Sequence, residues 1–204
     1  IIDRADYRRN KPTINYTCGN HVAVLAGDYL FAKAFEILSK KSLRSMEYLV
    51  IAIQEMCSGE MLQARELFNP EITETSYIEK TRHKTGSLLS ACCMAGAVSG
   101  EADEITVEKF GVFGRFLGLA FQIIDDLLDF TGSKEQMGKS VAHDLEEGNI
   151  TLPIIYLLEN LEYRDKYKDL LVDRKTINDI KQQIIHDLEN TGALLKTYKK
   201  AKFY

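Results

Sequence analysis

Phe121-Gln122-Ile123-Ile124-Asp125-Asp126-Leu127-Leu128-Asp129-Phe130 places three carboxylates inside one of the most apolar runs of the chain. Read as a helix, this stretch sets Asp125 and Asp129 one turn apart on one face, with Asp126 about 100° round. Like charges on neighbouring turns repel, and an apolar setting makes each charge more costly, so the run calls for a cation. Carboxylate oxygens suit hard divalent metals, and Mg²⁺ is the first candidate. An amphipathic helix whose acids simply face water is the commoner meaning of an arbitrary D-D-x-x-D, so the rest of the chain must decide.

Outward from that run, the chain reads as helices. From about Gly19 to Leu38 small residues (Ala23, Ala26, Gly27, Ala32, Ala34) alternate with large apolar ones. Residues 43–67 continue with Leu43, Met46, Leu49, Val50, Ile53 and Met56 at helical spacing, and Asn69-Pro70 closes the segment. Thr75 or Ser76 caps a helix running to Ser99-Gly100, whose half from Thr85 to Val98 is small-residue-rich and expected to be buried. A helix from about 104 to 130 carries Gly111, Gly114 and Gly118 along one face, where they serve either close helix contact or substrate space. Residues 131–150 form a polar connection, and Thr151-Leu152-Pro153 opens another helix with Pro153 in its first turn. A polar stretch near 162–175 precedes a last helix with Ile177, Ile180, Ile184 and Leu188 as its stripe, continued by Leu194, Leu195 and Tyr198. No strand pair is expected. The fold class is all-α, a single bundle of long helices.

The bulk composition excludes several functions. Of 204 residues 45% are hydrophobic and 27% charged, as in ordinary soluble domains, and the net charge of −4 argues against nucleic acid as a partner. No apolar run approaches the length of a membrane span. Cys18, Cys57, Cys92 and Cys93 lack C-x-x-C spacing, which excludes a zinc site or disulfide framework; the adjacent Cys92-Cys93 reads as a small buried pair. The chain begins with Ile1, not Met, so its natural start is expected to lie upstream.

Basic residues complete a constellation. Arg8-Arg9, before a proline turn, suit phosphate oxygens, which guanidiniums grip through paired charge-assisted bonds. Lys84 opens the small-residue helix half, and Lys139 lies in the connection after Asp129. Each has a bland alternative, a solvated charge run or a snorkelling lysine. Carboxylates for metal, cations for phosphate and an apolar small-residue groove together suggest a polyanionic head with a greasy tail.

At these positions the sequence resembles the trans-prenyltransferases, the all-α isoprenyl diphosphate synthases, and among them the long-chain polyprenyl branch. Phe121 to Asp129 match that family's F-Q-x-x-D-D-x-x-D motif, and Gly138-Lys139, Asp144-Leu145, Gly148 and Thr151-Leu152-Pro153 resemble the run downstream of it. Asp3-Arg4-Ala5-Asp6-Tyr7-Arg8-Arg9-Asn10-Lys11-Pro12-Thr13 is similar to the end of the first D-D-x-x-D motif with its R-R-x-K-P-T tail; Gly59-Glu60 with Gln63 and Lys84-Thr85 match two further motifs. The five lie in register over roughly residues 1–160.

The resemblance implies a helical bundle around a central cavity, with residues 1–204 one polyprenyl synthase domain truncated at the N-terminus, where helices are missing, and at the C-terminus. It implies head-to-tail condensation of an allylic prenyl diphosphate with isopentenyl diphosphate, assisted by two or three Mg²⁺ ions per site. Asp3, Asp125, Asp126 and Asp129 are then metal ligands, with Asp129 the one to act indirectly. Arg8, Lys84, Lys139 and Gln122 hold the allylic diphosphate, Arg9 holds isopentenyl diphosphate, and Gln63 and Thr85 line the pocket near the reacting carbon. Lys84, Thr85, Gln122 and Lys139 are the implied catalytic set. His21, His83, His143 and His186 are left structural or exposed. Asn149 stands where short-chain enzymes carry a second lysine, which favours the long-chain branch without excluding a farnesyl or geranylgeranyl synthase.

A non-catalytic subunit of a heteromeric synthase is disfavoured by the intact second motif, and a terpene cyclase by Arg9. A calcium module is remote, because no EF-hand spacing comes after the aspartates. A homodimer or a heteromer with a related subunit is implied. So are long-chain products that feed quinone biosynthesis, released at a membrane periphery, in cytoplasm, mitochondrion or plastid.

Overall fold

The structure, a computed structural model, describes residues 5–8, 11–132 and 141–204. Contrary to the sequence reading, a strand pair is present near the start. Strands β1 (Tyr7–Arg8) and β2 (Lys11–Pro12) pair antiparallel with Tyr7 opposite Pro12 and Arg8 opposite Lys11. Thr13 ties this hairpin to the first helix: its hydroxyl donates to Ala5 O at 2.8 Å and, as the helix cap, accepts from Tyr16 N at 3.3 Å. Arg8 is thereby held at the head of the bundle.

Helix α1 (Ile14–Lys41) kinks at Gly19, whose φ of 82° few other residues adopt, and it buries none of its residues. Ser42 then caps helix α2 (Leu43–Arg65), whose buried positions are Ser45, Ala52 and Gly59. The next cap is Thr73, not Thr75 or Ser76; its side chain accepts from Ser76 N, and helix α3 spans Glu74–Thr81. Where one continuous helix was expected, residues Arg82–Gly86 widen into a π-helical turn before helix α4 (Ser87–Ser99). Such turns recur at functional sites because they re-aim side chains that an α-helix would turn away. Cys92 is exposed and Cys93 half-buried, so the expected buried pair is not formed.

Asp103 caps the long helix α5 (Glu104–Thr131) by accepting from Thr106 N at 2.8 Å. The glycine face of α5 serves close contact. A Cβ on Gly114 would stand 2.4 Å from Leu89 O of α4, and one on Gly118 would stand 2.7 Å from Gly86 Cα in the π turn. After the short helix α6 (His143–Glu146) comes α7 (Leu152–Leu158), every residue of which is buried. A helix that is apolar all round belongs in the middle of the core, and each fully buried Leu or Ile there contributes about 1.5–3 kcal/mol.

Two further departures lie beyond α7. The polar stretch contains a helix of its own, α8 (Leu161–Tyr167), capped by Asn160, and the last stripe divides at Gly192 (φ 75°) into α9 (Arg174–Thr191) and α10 (Ala193–Phe203). A buried acid joins α8 to α9. Asp187 accepts from Tyr167 Oη at 2.5 Å and from Lys166 Nζ at 2.6 Å. Asp187→Ala is expected to destabilise the fold by about 2 kcal/mol, because it strands the buried Tyr167 hydroxyl while the half-exposed Lys166 regains water. Urea unfolding monitored by circular dichroism measures this loss.

Candidate active site

One cavity of about 330 Å³ opens where α2, α3, the π turn, α5 and the segment after α6 meet. Its walls are divided by charge. Arg8, Lys80 and Lys84 supply the cations, and Asp125, Asp126 and Asp144 supply the acids. Gln63, Tyr77, Thr81 and Gln122 fill the wall between them, and Asn149 and Thr151 complete it.

The acid side is built by α5. Asp126 is 4% exposed, and both of its oxygens are engaged: Tyr77 Oη donates to Oδ2 at 2.6 Å and Gln122 Nε2 to Oδ1 at 2.8 Å. Burial pushes its carboxyl up to about 7; the two hydrogen bonds oppose that rise, and Asp144 and Asp125 add to it. The same burial, with Asp126 beside it, raises the Tyr77 phenol well above its usual value. Gln122 also accepts from Thr85 Oγ1 at 2.9 Å, so Thr85, Gln122, Asp126 and Tyr77 form one chain of hydrogen bonds across three elements. Tyr77→Phe removes a bond that holds the Asp126 carboxyl down. The Asp126 carboxyl, followed by NMR, is therefore expected to titrate at higher pH in this variant.

The buried acids of α5 are Asp126 and Asp129, three residues apart, with Asp125 half-buried. Asp125 and Asp129 lie one turn apart in the continuous helix α5, as the helical reading expected, and Asp129 is turned toward the backbone after residue 140. Asp129 Oδ2 accepts from Asp144 N at 3.0 Å, and its carbonyl accepts from Ala142 N at 2.7 Å. Those bonds hold the segment that brings Asp144, Asn149 and Thr151 to the cavity wall. Gly148 fixes the same segment through φ 87° and the 2.8 Å bond from Phe68 N to its carbonyl.

The cation side comes from α3 and the π turn, braced by α2. Lys84 Nζ reaches Gln63 Oε1 at 2.9 Å and Glu60 Oε2 at 3.0 Å. Gly59 makes this approach possible, since a Cβ there would lie 2.8 Å from Lys84 N. Lys80, 6% exposed, faces Glu66, and burial pushes its ammonium below the usual lysine range.

The structure therefore brings together Arg8, Gln63, Lys84, Gln122, Asp125 and Asp126 around one cavity, with Thr85 bonded to Gln122 at its edge. Asp129 supports the wall without lining it among the described residues. Asp3, Arg9 and Lys139 lie outside the described residues. Sequence reasoning passed over Tyr77, Lys80 and Thr81, and quoted Asp144 in the run downstream of the aspartate motif without giving it a role in the site. The first three could have been reached from Lys84 by stepping back along one helix face at spacings of three and four. His21 and His186 are exposed, and His83 and His143 half-buried, none of them in the cavity wall.

Among the described residues no three His, Cys, Asp or Glu side chains stand close enough to hold a metal ion. The acids that do face the cavity fit one in kind. Carboxylate oxygens are what a hard divalent cation prefers, and an ion there would relieve the burial that lifts Asp126.

A helical bundle whose cavity sets arginine and lysines opposite aspartates is suited to hold an anion together with its cations. The polyprenyl synthetase family profile matches residues 1–188, and the chain belongs to that family. It is 34% identical to heptaprenyl diphosphate synthase component 2 of Bacillus subtilis over 205 aligned positions, covering 100% of this chain and 58% of the relative. The heptaprenyl diphosphate synthase structure from Staphylococcus aureus superposes with a TM-score of 0.91 at 30% identity, over 100% of this chain and 64% of that one. A polyprenyl synthase from Caulobacter crescentus complexed with calcium and isoprenyl diphosphate gives 0.91 at 31% identity, over 100% and 63% of the two chains. The chain thus spans less than two thirds of each of these proteins.

Proposed function

We propose that the full-length protein is a long-chain polyprenyl diphosphate synthase, joining an allylic diphosphate to isopentenyl diphosphate head-to-tail. The observation that carries this reading is the charge-divided cavity: cations from α3, the π turn and the hairpin face acids from α5 across it. Mg²⁺, bound by Asp125 and Asp126 with Asp3 of the first motif, would supply the positive charge that draws electron density onto the leaving diphosphate.

The chain's own groups do the rest. Lys84, locked by Gln63 and Glu60, presents a fixed cation to the diphosphate, and Arg8 approaches from the hairpin. Lys139 and Arg9 are assigned by motif to the allylic diphosphate and to isopentenyl diphosphate. When the allylic C–O bond breaks, its electron pair leaves with the diphosphate, and charge already in place stabilises that change without reorganisation. By motif Thr85 and Gln63 belong near the reacting carbon and Gln122 at the diphosphate, and the bond from Thr85 to Gln122 fixes the dipoles of both in advance. The isopentenyl double bond then attacks, and a proton passes to the released diphosphate. No side-chain nucleophile takes part.

The names of the relatives, heptaprenyl synthases among them, support the long-chain branch over the short-chain one. The name "component 2" also supports an assembly of unlike subunits. The exposed apolar side chains of α1, including Val22, Leu25, Tyr29, Leu30 and Ile37, form a surface of the kind that association buries. Radiolabelled isopentenyl diphosphate, incubated with the full-length protein, Mg²⁺ and farnesyl or geranylgeranyl diphosphate, tests the activity. Extension that stops on adding EDTA is expected; no extension of any allylic primer, alone or with a co-expressed partner subunit, overturns the reading.

A further inference from the structure

Helix α2 and the turn after it present three acceptors, Glu60, Gln63 and Glu66, toward α3 and the π turn at intervals of three residues. The first two hold Lys84 at 3.0 and 2.9 Å. The third holds Lys80 differently. The Lys80 Nζ to Glu66 Oε2 distance is 3.5 Å, well beyond the 2.7–2.9 Å of a charge-assisted hydrogen bond. The other oxygen, Glu66 Oε1, is occupied by the Ser76 hydroxyl at 2.5 Å. An ammonium has three N–H donors, and one distant carboxylate oxygen is a loose partner for them.

Lys80 is nonetheless 6% exposed, and a buried charge is expensive unless it is well paired. A buried ion pair built only for stability would close to contact distance. This one stays open, and its cation lines the cavity beside Lys84 and Tyr77. The cavity that Lys80 shares with Asp125, Asp126 and Asp144 holds about 330 Å³, space for an anion that carries its own cations.

We infer that Lys80 is a further anion-holding cation of this cavity, kept in place by Glu66, and that its target is the diphosphate of the allylic substrate, released as inorganic pyrophosphate. This rests on the prenyl-transfer reading above. Glu66 keeps the ammonium aimed and charged; the diphosphate completes the shell that Glu66 leaves unfinished. Lys84 and Lys80, four residues apart, then grip the same group from adjacent positions on one face.

The test uses the full-length protein with Lys80→Met, Lys80→Arg and the double variant Glu66→Gln/Lys80→Met. The double variant removes both charges together and leaves Ser76 a partner, so it folds even where Lys80→Met alone strands Glu66. Steady-state kinetics give KM for each diphosphate substrate, and calorimetry with inorganic pyrophosphate and Mg²⁺ gives affinity without turnover. Lys80→Met and the double variant are expected to weaken pyrophosphate binding and raise the allylic KM by about 10-fold or more, as loss of bonds to a charged group does. Lys80→Arg restores both to within about threefold of the parent. Pyrophosphate affinity and allylic KM unchanged in the double variant overturn the inference, as does an effect confined to isopentenyl diphosphate. A parent that binds pyrophosphate through Lys80 yet extends no primer refutes the synthase reading and leaves the Lys80 site standing.

Discussion

Asp126→Asn in the full-length protein is expected to lower metal-dependent chain elongation by about 1,000-fold or more, roughly 4 kcal/mol of transition-state stabilisation. The same change is expected to leave the metal-free chain at least as stable as the parent. Both results have one cause, the environment of the side chain. It sits 4% exposed between the Tyr77 hydroxyl and the Gln122 amide, a socket that an isosteric neutral amide can occupy. A carboxylate occupies it only at a cost, because burial lifts its pKa from 3.8 to about 7.

That displacement sets the sign of the pH dependence. Between pH 4 and 7, roughly, the folded chain keeps a proton that the unfolded chain has lost, so stability falls as pH rises through that window. The loss amounts to a few kcal/mol, at about 1.4 kcal/mol per pH unit. Thermal unfolding of the metal-free parent should therefore show a Tm that declines from pH 5 to pH 8, and the Asn variant should lack this part of the slope. Mg²⁺ with pyrophosphate should raise the Tm of the parent at pH 8 and leave that of the variant nearly unmoved. An Asn variant that elongates normally would remove Asp126 from the proposed metal ligands.

The long helix carrying Asp126 was legible because its signals are local. An apolar period follows Gly100 and the second aspartate motif ends the same helix, so the read 104–130 became Glu104–Thr131, with Asp103 as a cap the reading had not named. Elements set by tertiary contact were not legible. Arg82–Gly86 contains ordinary helix residues, and nothing local announces a π turn; it forms where Gly59 and Gly118 let neighbouring backbones close in. Helix α8 was missed because its polar sequence buries only Tyr167, and the break at Gly192 because the apolar stripe runs on in register beyond it.

The same division holds in the site. Asp125, Asp126, Gln122 and Lys84 announce themselves through motif spacing, whereas Lys80 acquires its meaning only from Glu66, at the far end of α2. Tyr77 likewise acquires its meaning from Asp126. The small residues of α4 suggested burial, yet Cys92 stands exposed, since small size permits close approach without requiring it.

Gly118→Val is expected to cost more than about 3 kcal/mol of stability, above the usual range for overpacking because nothing nearby can yield. Already a single Cβ at this position would lie 2.7 Å from Gly86 Cα and 3.1 Å from Thr85 O, and both neighbours are backbone. Gly86 faces back across the same contact, where its own Cβ would meet Arg115 O at 3.3 Å. Relief requires α5 to move away from the π turn. Gln122 lies one turn further along α5, so that movement opens the 2.9 Å bond from Thr85 and loosens the chain that orients Asp126. Even Gly118→Ala, which gains up to about 1 kcal/mol of helix propensity, should lose stability and activity together.

Two other glycines supply the contrast. Gly27 in α1 and Gly96 in α4 have nothing within 4 Å of a built Cβ, so alanine there should be neutral or stabilising by up to about 1 kcal/mol. Gly111 falls between, since its nearest neighbour is the Met94 thioether at 2.8 Å, the flexible end of a side chain that can swing aside. Chemical denaturation of the four alanine variants should therefore rank them Gly27 and Gly96 above Gly111, and Gly111 above Gly118. A Gly118→Ala variant as stable and active as Gly27→Ala would mean that α5 and the π turn are not held together by this contact, and the positions of Lys84 and Thr85 would need another cause.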